Sequence, residues 1–184
     1  MLSESGPTNA ESLSSLTGSD ARARRSARTL RRFTVSLFLA TIVLFADQVT
    51  KGLAETLLPR FADQSISIMG DVLRLTYVAN RGAAFGILQE QTLFFVLVGV
   101  GVIGVILASY WYFPVNGALL NLALGLQLGG AVGNLIDRVR YGYVVDFIDV
   151  SVWPVFNLAD SAIVVGVGIL AFRLLQKDRS KAES

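Results

Sequence analysis

"TLFFVLVGVGVIGVILASYWYFPVNGALLNLALGLQLGGAVGNLI", residues 92–136, contains no charged side chain. A helix crosses the hydrocarbon core of a bilayer in about 20 residues, so this run is too long for one crossing. It divides at "FPVNG", residues 113–117, where Pro114, Asn116 and Gly117 favour a tight turn. Two membrane spans follow from this one stretch.

Working outward, the chain supplies two more. Phe33 to Ala46 offers only 14 uncharged residues, so a first span is expected to run on to about Leu53 and to carry Asp47, Gln48 and Lys51 at its far end. A last span begins near Phe156 or Asp160 and ends at "FRLLQK", residues 172–177. The composition agrees: 184 residues that are 53% hydrophobic and 16% charged are too apolar for one soluble domain and too few for a large transporter. The expected fold is an α-helical polytopic membrane protein with four transmembrane helices.

An even number of spans puts both termini on one side. Residues 1–32 are Ser-rich, lack aromatics and end with six arginines, and read as a disordered basic tail. A cleaved signal fits poorly, because Leu44 stands where an A-x-A site needs a small residue. Arg173, Lys177, Arg179 and Lys181 flank the other end, so both termini are expected to be cytoplasmic. Residues 33–176 then form the membrane domain and 177–184 a short cytoplasmic tail. Residues 54–91 and 137–157 fall on the outer face. There, "SISIMGDVLRLTYV" (65–78) alternates around a Gly-Asp turn and "YVVDFIDV" (143–150) has strand character, which predicts a small outer sheet. Gly125, Gly129 and Gly133 recur at every fourth residue and predict a close helix-packing face.

The chain has no cysteine and no histidine. That excludes disulfides, thiol nucleophiles, Ser-His and Cys-His pairs and an ordinary zinc site, and no metal or cofactor is expected. A net charge of +2 gives no reason to expect nucleic acid as a partner. If the protein is an enzyme, carboxylates or a Ser/Lys pair must do the work.

The carboxylates differ in setting. Asp137 is followed by Arg138 and reads as a structural ion pair or helix-end anchor. Asp146 sits among Val144, Val145, Phe147 and Ile148, and such burial raises a carboxyl pKa. Asp149 lies at odd spacing from Asp146, which in a strand points to the opposite face. Asp160 opens a span with no basic neighbour, a functional candidate by default. Two close carboxylates sharing a proton can activate water with one member and protonate a carbonyl or leaving group with the other. This suits peptide-bond hydrolysis at a membrane surface. Asn134, Asn157 and Arg138 lie close by in sequence and can donate hydrogen bonds to a carboxylate or a substrate carbonyl.

Five blocks in order, "ADQVTK" (46–51), "NRGAAFGIL" (80–88), "GGAVGNLIDR" (129–138), "GYVVDFID" (142–149) and "FNLADSAI" (156–163), resemble lipoprotein signal peptidase, the bacterial signal peptidase II, over about residues 33–175. The resemblance implies a four-helix aspartyl protease of the bacterial inner membrane, with an outer β-cradle and an interfacial helix beside the active site; separately, a monomer is expected. The implied substrate is a diacylglyceryl-prolipoprotein, met among membrane lipids and cut before its lipidated cysteine. The catalytic pair of the family falls on Asp146 and Asp160, and its supporting polar positions on Asn80, Asn134, Arg138 and Asn157. Asp47, Lys51 and Asp137 are further motif positions. Two other readings compete. A Ser/Lys hydrolase would join Lys51 to Ser151 or Ser161, although Lys51 four residues after Asp47 is more simply its ion partner. A proton-coupled transporter would place its carboxylates near the midplane rather than at span ends.

Overall fold

The computed structural model describes residues 9–58, 65–82, 91–112 and 117–182. Its helices are α1 (Asn9–Leu57), α2 (Thr92–Tyr112), α3 (Ala118–Tyr141) and α4 (Leu158–Ala182). Each contains a segment long and apolar enough to span a bilayer: Ser26–Leu57, Thr92–Tyr110, Ala118–Tyr141 and Leu158–Gln176. The turn expected at "FPVNG" falls between α2 and α3, with residues 113–116 outside the described set.

One expectation is corrected at the amino end. Residues 1–32 read as disordered, yet α1 already begins at Asn9. Alanine, arginine and leucine, which dominate residues 21–32, favour the helix, and extending a span held by the membrane needs no new nucleus. Arg32 is buried, 8% exposed, so it belongs to the packed body rather than to a solvated tail. At the other end α1 continues to Leu57, one turn past the expected Leu53.

Helix α3 is central, and α1, α2 and α4 all pack against it. Over half of its apolar window is buried, 56%, against 6% for α2. The glycine stripe explains the close approach. A Cβ at Gly125 would lie 2.9 Å from the Ser36 carbonyl oxygen, and one at Gly129 would lie 2.6 Å from that of Ala40. Gly130, on a neighbouring face, meets α4 in the same way, 2.5 Å from the Ala159 carbonyl oxygen. Ala40, Ile106, Tyr110, Leu120, Leu124 and Leu128 form the core at one end of the bundle. The outward faces carry Phe45, Leu93, Val105 and Val164, each at least 70% exposed, as helices solvated by acyl chains require.

The sheet closes the other end. Strands β1 (Ile66–Met69), β2 (Leu73–Asn80) and β3 (Val144–Asp149) are antiparallel in that order. Gly70 turns the β1–β2 hairpin at φ 55°, a left-handed conformation that glycine adopts without strain. Gly142 ends α3 in the same region, φ 78°, with its N–H on the Arg138 carbonyl oxygen at 3.0 Å. That sharp stop sends the chain back as β3, which Phe156 extends by pairing with Ile148. Ala54 of α1 and Leu58 just past its end pack with Val145 and Phe147 beneath the sheet. The interfacial helix implied by the family is not among the described elements, and residues 59–64 and 83–90 of the first connection lie outside the described residues.

Candidate active site

Helix α4 begins at Leu158, a short connection after β3 ends at Asp149, and its first turn builds the site. Asn157 caps it: Asn157 Oδ1 accepts the Asp160 N–H at 2.9 Å, and Asp160 Oδ2 accepts the Asn157 N–H at 3.4 Å. This reciprocal capping box satisfies two amide donors that a helix start leaves free. A third, the Ala159 N–H, goes to Asp47 Oδ1 of α1 at 3.0 Å. The strand before α4 carries Asp146, 1% exposed. Asp146 and Asp160 therefore come from adjoining elements at the rim of the bundle.

Three asparagine amides connect them. Asn157 Nδ2 donates to Asp146 Oδ1 at 2.7 Å, Asn80 Nδ2 to Asp146 Oδ2 at 2.8 Å, and Asn134 Nδ2 to Asp160 Oδ1 at 2.7 Å. In each amide a partner that can only donate fixes the orientation. Asn80 Oδ1 accepts the Gly82 N–H at 3.0 Å, Asn157 Oδ1 the Asp160 N–H, and Asn134 Oδ1 the Lys51 ammonium at 2.9 Å. The NH₂ groups are thereby aimed at the carboxylates without ambiguity.

Burial, and then the neighbouring charge of Asp160, push the Asp146 carboxyl up to about 7, against the hydrogen bonds from Asn80 and Asn157 and the charge of Lys51. A carboxyl in that range exchanges a proton near neutral pH. Asp149 goes elsewhere. It pairs with Arg74 at 3.1 Å and accepts from Thr76 at 3.2 Å, and the Ser151 N–H is the main cause that holds its carboxyl below the usual range. The two strand aspartates thus have separate partners, as their odd spacing predicted.

Beneath the pair lies a buried charge cluster. Lys51 is 3% exposed and contacts Asp47 Oδ2 at 2.9 Å and Asp137 Oδ2 at 2.8 Å. The expected Asp47–Lys51 pair is present. Asp137 forms an ion pair, but with Lys51 rather than Arg138, because the helix turns Asp137 inward, where its Oδ2 also accepts the Val145 N–H at 3.2 Å. Arg138 instead lies over the Phe95 ring, 5.1 Å from its centroid, and donates to the Asn134 carbonyl oxygen at 3.3 Å. Gly133 is obligatory beside this cluster, since a Cβ there would meet Asp47 Oδ2 at 2.5 Å.

Sequence reasoning gave no role to Gln48, whose Nε2 donates to Asp137 Oδ1 at 3.0 Å and to Asp47 Oδ2 at 3.3 Å. Its signal was a polar side chain at a span end next to Asp47. The Ser/Lys arrangement does not form. Lys51 is held by the two aspartates and Asn134, while Ser161 Oγ donates to the Asn157 carbonyl oxygen at 3.0 Å and Ser151 Oγ to that of Asp71. An open apolar groove of about 440 Å³ runs from Asp160 past Val150, Trp153, Phe156 and Val164. Asp160 is the carboxylate in its lining.

Known proteins resemble this chain over most of its length. Residues 39–176 match the family described as signal peptidase (SPase) II. The lipoprotein signal peptidase of Moorella thermoacetica is 53% identical over 139 residues, covering 76% of this chain and 91% of that protein. The lipoprotein signal peptidase of Halothermothrix orenii is 46% identical, covering 75% and 93%. A bacterial membrane enzyme solved by the in meso method at 2.3 Å resolution superposes with a TM-score of 0.74 at 33% identity, over 81% of this chain and 92% of that one. With a family match across most of its length and relatives at this identity, the chain belongs to the signal peptidase II family of membrane peptidases.

Proposed function

We propose that this protein removes signal peptides from diacylglyceryl-modified prolipoproteins, cutting before the lipidated cysteine, with Asp146 and Asp160 as a general acid-base pair. The observation that carries the reading is the asparagine relay, which aims one amide donor from Asn134 at Asp160 and two, from Asn80 and Asn157, at Asp146. The pair shares one proton. The ionised member takes a proton from water as its oxygen attacks the scissile carbonyl carbon, while the protonated member gives its proton to the carbonyl oxygen. Collapse of the tetrahedral intermediate breaks the C–N bond: one hydroxyl proton returns to the carboxylate that gave it, and the proton taken from water passes to the departing cysteine nitrogen. The step needs no metal.

The apolar groove beside Asp160 suits the hydrophobic segment of a signal peptide, and the arginine-flanked termini favour an orientation with both ends cytoplasmic and the carboxylates near the outer face. The enzyme acts as a monomer in this reading. The test is cleavage of one prolipoprotein in diacylated and unlipidated forms by the parent, Asp146→Asn and Asp160→Asn proteins. Each single variant is expected to fold and to lose about 10²–10⁴-fold in rate. The double variant is expected to be little worse, because the pair works as one unit. Parental cleavage by either single variant would overturn the assignment.

A further inference from the structure

The opposite end of the bundle holds a second polar site that the carboxylates do not use. By a rise of 1.5 Å per residue, Arg32 lies about 22 Å along α1 from Asp47, toward the opposite end of the bundle. There an open groove of about 970 Å³ runs between α1 and the start of α3, lined by Arg28, Arg31 and Arg32 and then by Val35, Leu39 and Leu122. Guanidinium groups lie at its head and aliphatic side chains along its length. A fourth, Arg173, stands over Gly117, where a Cβ would come within 2.7 Å of its Nη2.

Arg32 marks this as a built site. Its side chain is more than nine-tenths buried; Nε donates to Asn121 Oδ1 at 3.3 Å, but the buried Nη2 has no hydrogen-bond partner among the described residues. A buried donor without an acceptor is costly, and a guanidinium is shaped to give two parallel N–H bonds to a phosphate. We propose that this groove binds an anionic phospholipid, its phosphate held by Arg32 with Arg28 and Arg31 and an acyl chain lying on Val35, Leu39 and Leu122. The graded lining favours a lipid over a free anion. Phosphate alone has no use for the aliphatic part of the lining.

The experiment is native mass spectrometry and thermal melting of the full chain, in micelles doped with phosphatidylglycerol or with phosphatidylcholine, and separately with inorganic phosphate. Phosphatidylglycerol is expected to be retained as a discrete adduct and to raise the melting temperature, and phosphatidylcholine is expected to do neither. Arg28→Gln/Arg31→Gln alters two exposed side chains and leaves the packing intact. It is expected to weaken the adduct about 30-fold, by the usual contribution of a basic residue at an anionic surface. Arg32→Gln is expected to abolish it. Equal retention of the two lipids, or an unchanged adduct in the folded double variant, overturns the proposal. An equal melting shift with inorganic phosphate also overturns it and assigns the site to a soluble anion. None of these readouts involves cleavage, so the result stands apart from the peptidase reading.

Discussion

Replacing Lys51 by methionine tests both the stability and the chemistry of the site. Methionine keeps an unbranched side chain but removes the cation that, among the described residues, pairs with Asp47 and Asp137, at 2.9 and 2.8 Å. Those carboxylates retain the Ala159 and Val145 N–H groups and Gln48, but their charge is left uncompensated. Removing one partner of a buried pair costs about 3–5 kcal/mol, which for a chain of this size lowers the melting temperature by roughly 6–20 °C. Arg74→Met is the internal control. It breaks the Arg74–Asp149 pair, whose arginine side chain is 35% exposed, and is expected to cost at most about 1 kcal/mol. Lys51 also fixes the Asn134 amide that donates to Asp160, and its charge opposes the upward shift of the Asp146 carboxyl. The Lys51→Met protein should therefore melt early, and the alkaline limb of its cleavage profile, where the shared proton is lost, should move to higher pH. Melting within about 2 °C of the parent, together with an unmoved alkaline limb, would refute the account of the cluster.

Other consequences follow from the same geometry. The Asp146 carboxyl ordinarily titrates at 3.8 and lies at about 7 in the fold, so across that interval the native state holds a proton that the unfolded chain has lost. Stability should fall as pH rises from about 4 to about 7, a slope that pH-dependent melting should show diminished in Asp146→Asn. Gly130→Ala places a Cβ 2.5 Å from the Ala159 carbonyl oxygen, whereas one at Gly168 meets nothing within 4 Å. The first should cost about 1–3 kcal/mol or more and the second should not destabilise, as read by paired melts. Asp149→Asn and Ser161→Ala should both retain cleavage in an endpoint assay, because neither side chain belongs to the asparagine relay. Chelators should leave the rate unchanged in the same assay.

The division between sequence and tertiary structure follows the range over which each property is set. Span number came from local apolar length, and the hairpin from alternation around Gly70, so both were legible in short windows. The special character of Asp146 and Asp160 was visible from their neighbours, since a carboxyl among valines or at the start of a span is costly wherever the chain takes it. The helical backbone over residues 9–32 was missed because composition describes what a free segment does, while this one extends a helix already held in the membrane. The partners were beyond reach of any window. Lys51 meets Asn134 across 83 positions, and Asp47 caps α4 across 112. Asp137 turns away from adjacent Arg138 toward a lysine on another helix. Only the packed bundle decides these pairings: inside it water no longer solvates each charge separately, so every buried donor and acceptor must take what the neighbouring helix presents.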